Sequence, residues 1–261
     1  MTARTLGRAL LAACARGSLT EARTCTPALL KSGNPQQTTP PFKMAMATAA
    51  QHGHSEILRY LLTLAPPPSE KSNHTPWDPS ISSSPIPSEW SSSLMSDYVA
   101  VAAARSGNPS VMQALLDFGM EVDHEIDKVG APLSIAINCQ KVELVRFLLG
   151  KGADPNGMYW IPPEVYLVKA ASLPEPDILN LLLDHGAEVE GSMALKGAAE
   201  EGRVDNARIL LERGAGIDEV LRYEFLPDDA NLIGTPLQVA RQHKQEEFVA
   251  FLLARGAKDN L

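Results

Sequence analysis

Seven alanines, Ala13, Ala49, Ala103, Ala136, Ala170, Ala198 and Ala240, are each followed at a fixed distance by two leucines. The pairs are Leu29-Leu30, Leu61-Leu62, Leu115-Leu116, Leu148-Leu149, Leu182-Leu183, Leu210-Leu211 and Leu252-Leu253. The offset from alanine to first leucine is 12 in the last six cases and 16 in the first. A small residue and a bulky pair at constant separation suit two antiparallel helices stacked against the next pair. The alanine permits close approach, and the leucines fill the seam between neighbours. Self-similarity of this kind specifies an elongated array rather than one globular core.

Two units carry the pattern most fully. One reads Thr235-Pro236-Leu237-Gln238-Val239-Ala240-Arg241, then Glu247-Phe248-Val249, then Leu252-Leu253-Ala254-Arg255-Gly256-Ala257. The other reads Ala131-Pro132-Leu133-Ser134-Ile135-Ala136, then Val142 to Leu149, then Gly152-Ala153-Asp154. With the fragments Gly53-His54-Ser55-Glu56-Ile57-Leu58, His185-Gly186-Ala187 and Arg213-Gly214-Ala215, the chain resembles the ankyrin repeat family over about nine tenths of its length. The resemblance implies an all-α solenoid of about seven helix-turn-helix units with connector fingers, forming one domain over residues 1–261. The units fall near 6–41, 42–65, 96–130, 131–164, 165–192, 193–234 and 235–261. Residues 66–92, with seven prolines and nine serines, are an insertion loop that cannot bury enough surface to order itself.

Local chemistry supports the helix pairs. Thr-Pro starts a helix with a capping hydroxyl and a proline whose missing N–H does no harm. Glycine closes the second helix, where the chain turns through positive φ. The closing glycines Gly119, Gly152, Gly186, Gly214 and Gly256 are spaced 33, 34, 28 and 42 apart, so the last two connectors are shortened and lengthened. Only the last unit keeps Thr-Pro, so the other first helices are less sharply bounded. Pro174-Glu175-Pro176 stands where a glycine turn belongs and predicts an irregular corner. No further helix follows Leu253, so either the last helix carries its own polar face or something covers that end.

Three cysteines, Cys14, Cys25 and Cys139, with no CxxC spacing argue against a disulfide framework or zinc site and for a reducing compartment. The apolar run Ala9 to Ala15 is marginal for a signal sequence and reads as the first repeat helix. No run approaches the ~20 apolar residues of a membrane span. A soluble protein of the cytoplasm or nucleus is the expectation.

Catalytic signatures are missing: no glycine-rich phosphate loop, GxSxG elbow or HExxH occurs, and the six histidines show no metal-ligand spacing. No catalytic residue, metal or cofactor is expected. The resemblance instead implies a concave binding face made of the fingers, 120–130, 153–164, 187–192 and 215–234, and the exposed ends of the first helices. Those fingers hold thirteen acids against Lys128 and Arg222, a net charge of −11 in a chain of −8. A one-signed rim steers an oppositely charged partner and disfavours nucleic acid; the acids otherwise only solubilise loops.

The aromatics Tyr159, Trp160 and Tyr223 are candidate anchors, with local packing of the finger as the competing role. Among the finger residues, Asp123, His124 and Asp127 join the candidate surface. The family geometry adds the residues before each inter-helix turn, among them Arg105, Asn138, Glu200, Glu201 and Gln242, and makes Cys139 an accessible thiol. Asn156 matches a finger asparagine whose role is backbone hydrogen bonding. The expected function is a protein-interaction module binding a basic, partly apolar segment. An enzyme using the groove as a pocket, and an architectural subunit of a larger complex, stand as alternatives.

Overall fold

The computed structural model describes residues 2–31, 35–64, 97–126, 129–160, 163–222 and 232–259. It comprises two compact blocks, residues 1–127 and 128–261. Every repeat alanine is fully buried, and so is the first leucine of every pair. The odd offset of the first repeat has a geometric cause. Its second helix is 12 residues long where the equivalent helices that follow have 8 or 9. Adding four residues is close to one helical turn, so Leu29 keeps the same face.

In the first block, α1 (Ala3–Arg16) and α2 (Leu19–Leu30) form the first pair, α3 (Pro35–Gln51) and α4 (Ser55–Thr63) the second, α5 (Asp97–Ser106) and α6 (Pro109–Asp117) the third. Helix α3 packs between α1 and α5. The second block holds α7 (Pro132–Asn138) with α8 (Val142–Gly150), α9 (Tyr166–Ser172) with α10 (Asp177–Asp184), α11 (Ala194–Glu201) with α12 (Val204–Glu212), and α13 (Pro236–Gln242) with α14 (Glu246–Ala254). Its first helices lie in the order α7, α9, α11, α13. Two short antiparallel hairpins, β1 (Met158–Trp160) with β2 (Pro163–Val165) and β3 (Leu221–Arg222) with β4 (Leu232–Gly234), project from its connectors. Helices and connector fingers together are the all-α ankyrin solenoid architecture, the hairpins being confined to the fingers. Helix α3 begins seven residues inside the stretch assigned to the first unit from sequence. The insertion 66–92 lies outside the described residues.

Neighbouring repeats are joined by a hydrogen-bonded ladder at the helix–helix corners. The residue four after the repeat alanine is left-handed at Gly17, Gly53, Gly107 and Gly202, and also at Gln140 and Lys244. The next residue reaches back to the preceding repeat. The ring Nε2 of His54 donates to the Ala15 carbonyl (3.4 Å), Asn108 Nδ2 to Gly53 (3.2 Å), Arg203 Nε to Ser172 (3.1 Å) and Gln245 Nε2 to Glu200 (2.8 Å). The Ala15, Ser172 and Glu200 carbonyls are ones that the end of a first helix leaves unpaired, and that of Gly53 also accepts from Ser55 N–H (3.1 Å). Glycine at Gly17 and Gly202 therefore has two causes: the left-handed turn, and the neighbour's side chain, which a Cβ would meet at 2.6 Å and 2.4 Å.

The Pro174 corner breaks this pattern as the sequence predicts. Proline cannot enter the left-handed region, so Leu173 stays extended (φ −71°, ψ 152°) and α10 starts one residue late. The carbonyls of Ala171 and Leu173 are instead capped by Asn206 Nδ2 of α12, at 2.9 Å and 2.8 Å. Asn206 is 1% exposed.

The helix starts vary as expected from the missing Thr-Pro signals. Helix α13 has a full capping box between Thr235 and Gln238. Helices α9 and α11 have no side-chain cap, and Met193 before α11 is left-handed at φ 58°.

Candidate partner-binding surface

The second block carries three of the four fingers, and two of these bond to the connector that follows through the residue four after the closing glycine. Asn156 Nδ2 donates to the Gly186 carbonyl (3.3 Å), and its Oδ1 accepts from Glu188 N–H (2.8 Å). Two fingers further on, Asp218 Oδ1 accepts from Lys258 N–H (2.8 Å). The asparagine's backbone-bonding role is thus what the geometry displays, and Asp218 substitutes for it. Asp154 turns the chain into that position by accepting from Asn156 N–H at 2.9 Å.

At the base of the first hairpin, Tyr166 is buried beneath Gly157, whose added Cβ would lie 2.4 Å from the phenol ring. Sequence reasoning missed Tyr166; the glycine nine residues before the helix start was its available signal. The hairpin pairs Tyr159 with Glu164 and Trp160 with Pro163. The side chains of Tyr159 and Trp160, and all of Asp127 and Tyr223, lie outside the described residues.

Glu190 and Glu219 stand close enough on successive fingers to repel. The Glu219 carboxyl is held above its ordinary value, first by burial, with the Glu190 charge adding to it, against a hydrogen bond from the Gly191 backbone. Glu121, Glu188 and Glu190 are exposed.

The ends of the first helices form a row in the second block. Asn138 and Gln242 are exposed, and Glu201 is exposed 3.8 Å from Arg203. Glu200 is drawn inward: it accepts from the buried Lys196 Nζ at 3.1 Å. The paired carboxylates are therefore partly neutralised within the block. Cys139, capping α7, is exposed. In the first block Arg105 and Asp123 are exposed. His124 points its Nε2 at Asp97 Oδ1 (3.4 Å), which ties the finger start to α5. Among the described residues no group of three His, Cys, Asp or Glu is placed to hold a metal, and no helix is long and apolar enough to cross a membrane.

Comparison with known proteins agrees with this architecture. The ankyrin repeat family model matches residues 131–158. The human ankyrin repeat and SOCS box protein 11 is 30% identical over 125 residues, 46% of this chain and 38% of that protein. The mouse ankyrin repeat and SOCS box protein 5 is 38% identical over 88 residues, 33% of this chain and 26% of that protein. The chain thus spans about two fifths or less of the length of these relatives. Among solved structures, the ankyrin repeat domain of Bcl-3, a member of the IkappaB family, superposes with a TM-score of 0.62 at 22% identity, covering 94% of this chain and 97% of that one. The ankyrin repeat domain of human ASB11 gives 0.51 at 26% identity, covering 61% and 69%. Buried repeat alanines, corner ladder, fingers and these similarities lead to one architecture: the chain has the ankyrin repeat fold, and residues 131–158 match the ankyrin repeat family itself.

Proposed function

We propose that this chain is a non-enzymatic interaction module that binds a basic, partly apolar protein segment along its acidic fingers. Ankyrin repeats are a protein-binding architecture, and the partner's chemistry follows from the charge. The carrying observation is the one-signed charge of the fingers, thirteen acids against Lys128 and Arg222, with Glu190 and Glu219 on successive fingers. Like charges held together at a rim cost free energy that an incoming lysine or arginine relieves. Tyr159, Trp160 and Tyr223 are assigned as anchors, Asp123, Asp127, Asn138, Arg105, Glu201 and Gln242 as flanking contacts, and His124 and Glu200 as positioned by their internal partners. The proposal treats 1–261 as one domain in the cytoplasm or nucleus, with neither nucleic acid nor membrane as partner.

Affinity capture from native extract at low and moderate salt tests this, with wild type beside a Glu188→Gln/Glu190→Gln/Glu219→Gln variant. A basic protein lost from both the higher-salt sample and the variant supports the reading. A captured set that ignores both changes overturns it. With the partner in hand, Trp160→Ala costs ~1–3 kcal/mol of binding if the tryptophan anchors.

An architectural subunit of a larger complex is the alternative reading. A solution mass above 28.1 kDa for the purified chain would support that alternative.

A further inference from the structure

The chain's negative charge conceals an opposite one. Residues 1–64 contain seven lysines and arginines against two acids, a net +5, so the remaining residues carry −13. Three of the seven are engaged: Arg16 with Glu21, Arg59 with Asp117 and Arg23 over the Tyr60 ring. The others on the first helices are not. Arg4 and Arg8 on α1 and Lys43 on α3 have no ion-pair partner among the described residues.

These cations flank an apolar row. Met44 of α3 and Tyr98 of α5 are 52% and 64% exposed. Both stand five residues before their repeat alanine, and Arg8 holds the same place on α1. The three helices are held in register by the His54–Ala15 and Asn108–Gly53 bonds, and α1 closes on α3 where a Cβ at Gly7 would sit 3.0 Å from Pro41. Arg8, Met44 and Tyr98 therefore form a row across adjacent helices, with Arg4 one turn beyond. The row is exposed because α1, α3 and α5 run past the point where a first helix ordinarily starts. In the second block the equivalent Ala131 and Thr235 are buried capping residues.

We propose that this strip is a second docking surface, of opposite sign to the fingers, that takes an acidic protein segment bearing apolar side chains. Unpartnered cations on two adjacent helices complement carboxylates, while Met44 and Tyr98 offer the apolar area that holds a segment once steered in. An extended polyanion is the poorer occupant, because nucleic acid or an anionic bilayer also meets the −13 carried by residues 65–261. A second copy's fingers would form a head-to-tail contact, whose products are rings or filaments that a self-association measurement detects.

The test uses the whole chain and a short fluorescein-labelled peptide of glutamates interspersed with leucine and phenylalanine, read by anisotropy. Arg4→Glu/Arg8→Glu lowers its affinity about tenfold or more, and Tyr98→Ser lowers it less. Glu188→Gln/Glu190→Gln leaves it unchanged, which separates this surface from the finger site. Arg4→Gln/Arg8→Gln gives an intermediate loss, and matching melting curves show that each variant is folded. No binding to wild type, or equal affinity for wild type and Arg4→Glu/Arg8→Glu, overturns the proposal. So does tighter binding of a single-stranded oligonucleotide or phosphatidylserine vesicles than of the peptide, or a peptide signal that tracks self-association.

Discussion

The two blocks obey one stacking rule and differ in how they leave it. In both, an alanine and a leucine are fully buried in every repeat and a corner side chain bonds back to the preceding repeat. In residues 1–127 the first helices are 14, 17 and 10 residues long; in residues 128–261 they have 7 or 8. The first block spends the extra length on helix, the second on hairpin fingers. The repeat interface therefore fixes only the middle of each pair, and the sequence before the first helix is free to choose the kind of surface displayed. One choice yields a rigid helical strip with basic residues, the other acidic fingers bonded to one another.

The largest test of this shared rule lies where first helices approach most closely. A Cβ at Gly197 of α11 would stand 2.3 Å from the Val168 carbonyl oxygen, a backbone atom that cannot step aside. In the first block Gly7 meets only the Pro41 ring, at 3.0 Å. Gly197→Ala should destabilise by about 3 kcal/mol in urea unfolding and Gly7→Ala by about 1 kcal/mol. Equal losses would mean that the two blocks tolerate overpacking alike.

Corner bonds give the next contrast. Asn206→Ala strips two buried carbonyls of their donor and should cost about 2–3 kcal/mol. Asn108→Ala breaks a half-buried bond whose carbonyl water can reach, and should cost about 1 kcal/mol. Reversal of that order would show the Pro174 corner to be self-sufficient.

A smaller effect concerns the fingers alone. The Glu219 carboxyl sits above its ordinary value in the folded chain, so folding disfavours its charged form. The associated stability is present at low pH and is lost as pH rises through the elevated value. Glu219→Gln should therefore raise the melting temperature near pH 7 and change it little near pH 3.5, where both forms are neutral. A variant that melts lower than wild type near pH 7 would show the carboxylate to be structurally required. Smallest of all is a difference in thiol access. Cys139 is exposed, while Cys14 is buried with its thiol pushed up to about 12, mainly by desolvation and further by nearby Cys25. An aromatic disulfide reagent should modify Cys139 at once and Cys14 only as the first block opens. Simultaneous reaction would contradict the burial of α1 against its neighbours.

How much of this was legible follows from what each residue has to do. Ala13 to Ala240 and their leucines announced the helix pairs because close approach and seam filling leave few alternatives. Pro174 announced its irregular corner because proline lacks the required conformation. Asn206 did not announce its compensating role: an asparagine in an amphipathic helix looks like any exposed polar residue until the preceding corner turns towards it. The helical extensions of α1 and α3 were equally hidden, since Pro40 and Pro41 discourage a helix in isolation and packing overrides them. The acids of the fingers could be counted from sequence, but not the inward pull of Lys196 on Glu200 or of Asp97 on His124.

The corner ladder also bears on how such a chain can be inherited. Histidine, asparagine, arginine and glutamine all serve as its rungs, because the receiving carbonyl asks only for a donor of adequate reach. Most repeats can therefore be duplicated, deleted or exchanged by recombination without a matched partner. The repeat containing Pro174 cannot: its unpaired carbonyls are satisfied only by an asparagine at position 206 of the next repeat. These two must travel together, a linked pair among otherwise interchangeable modules.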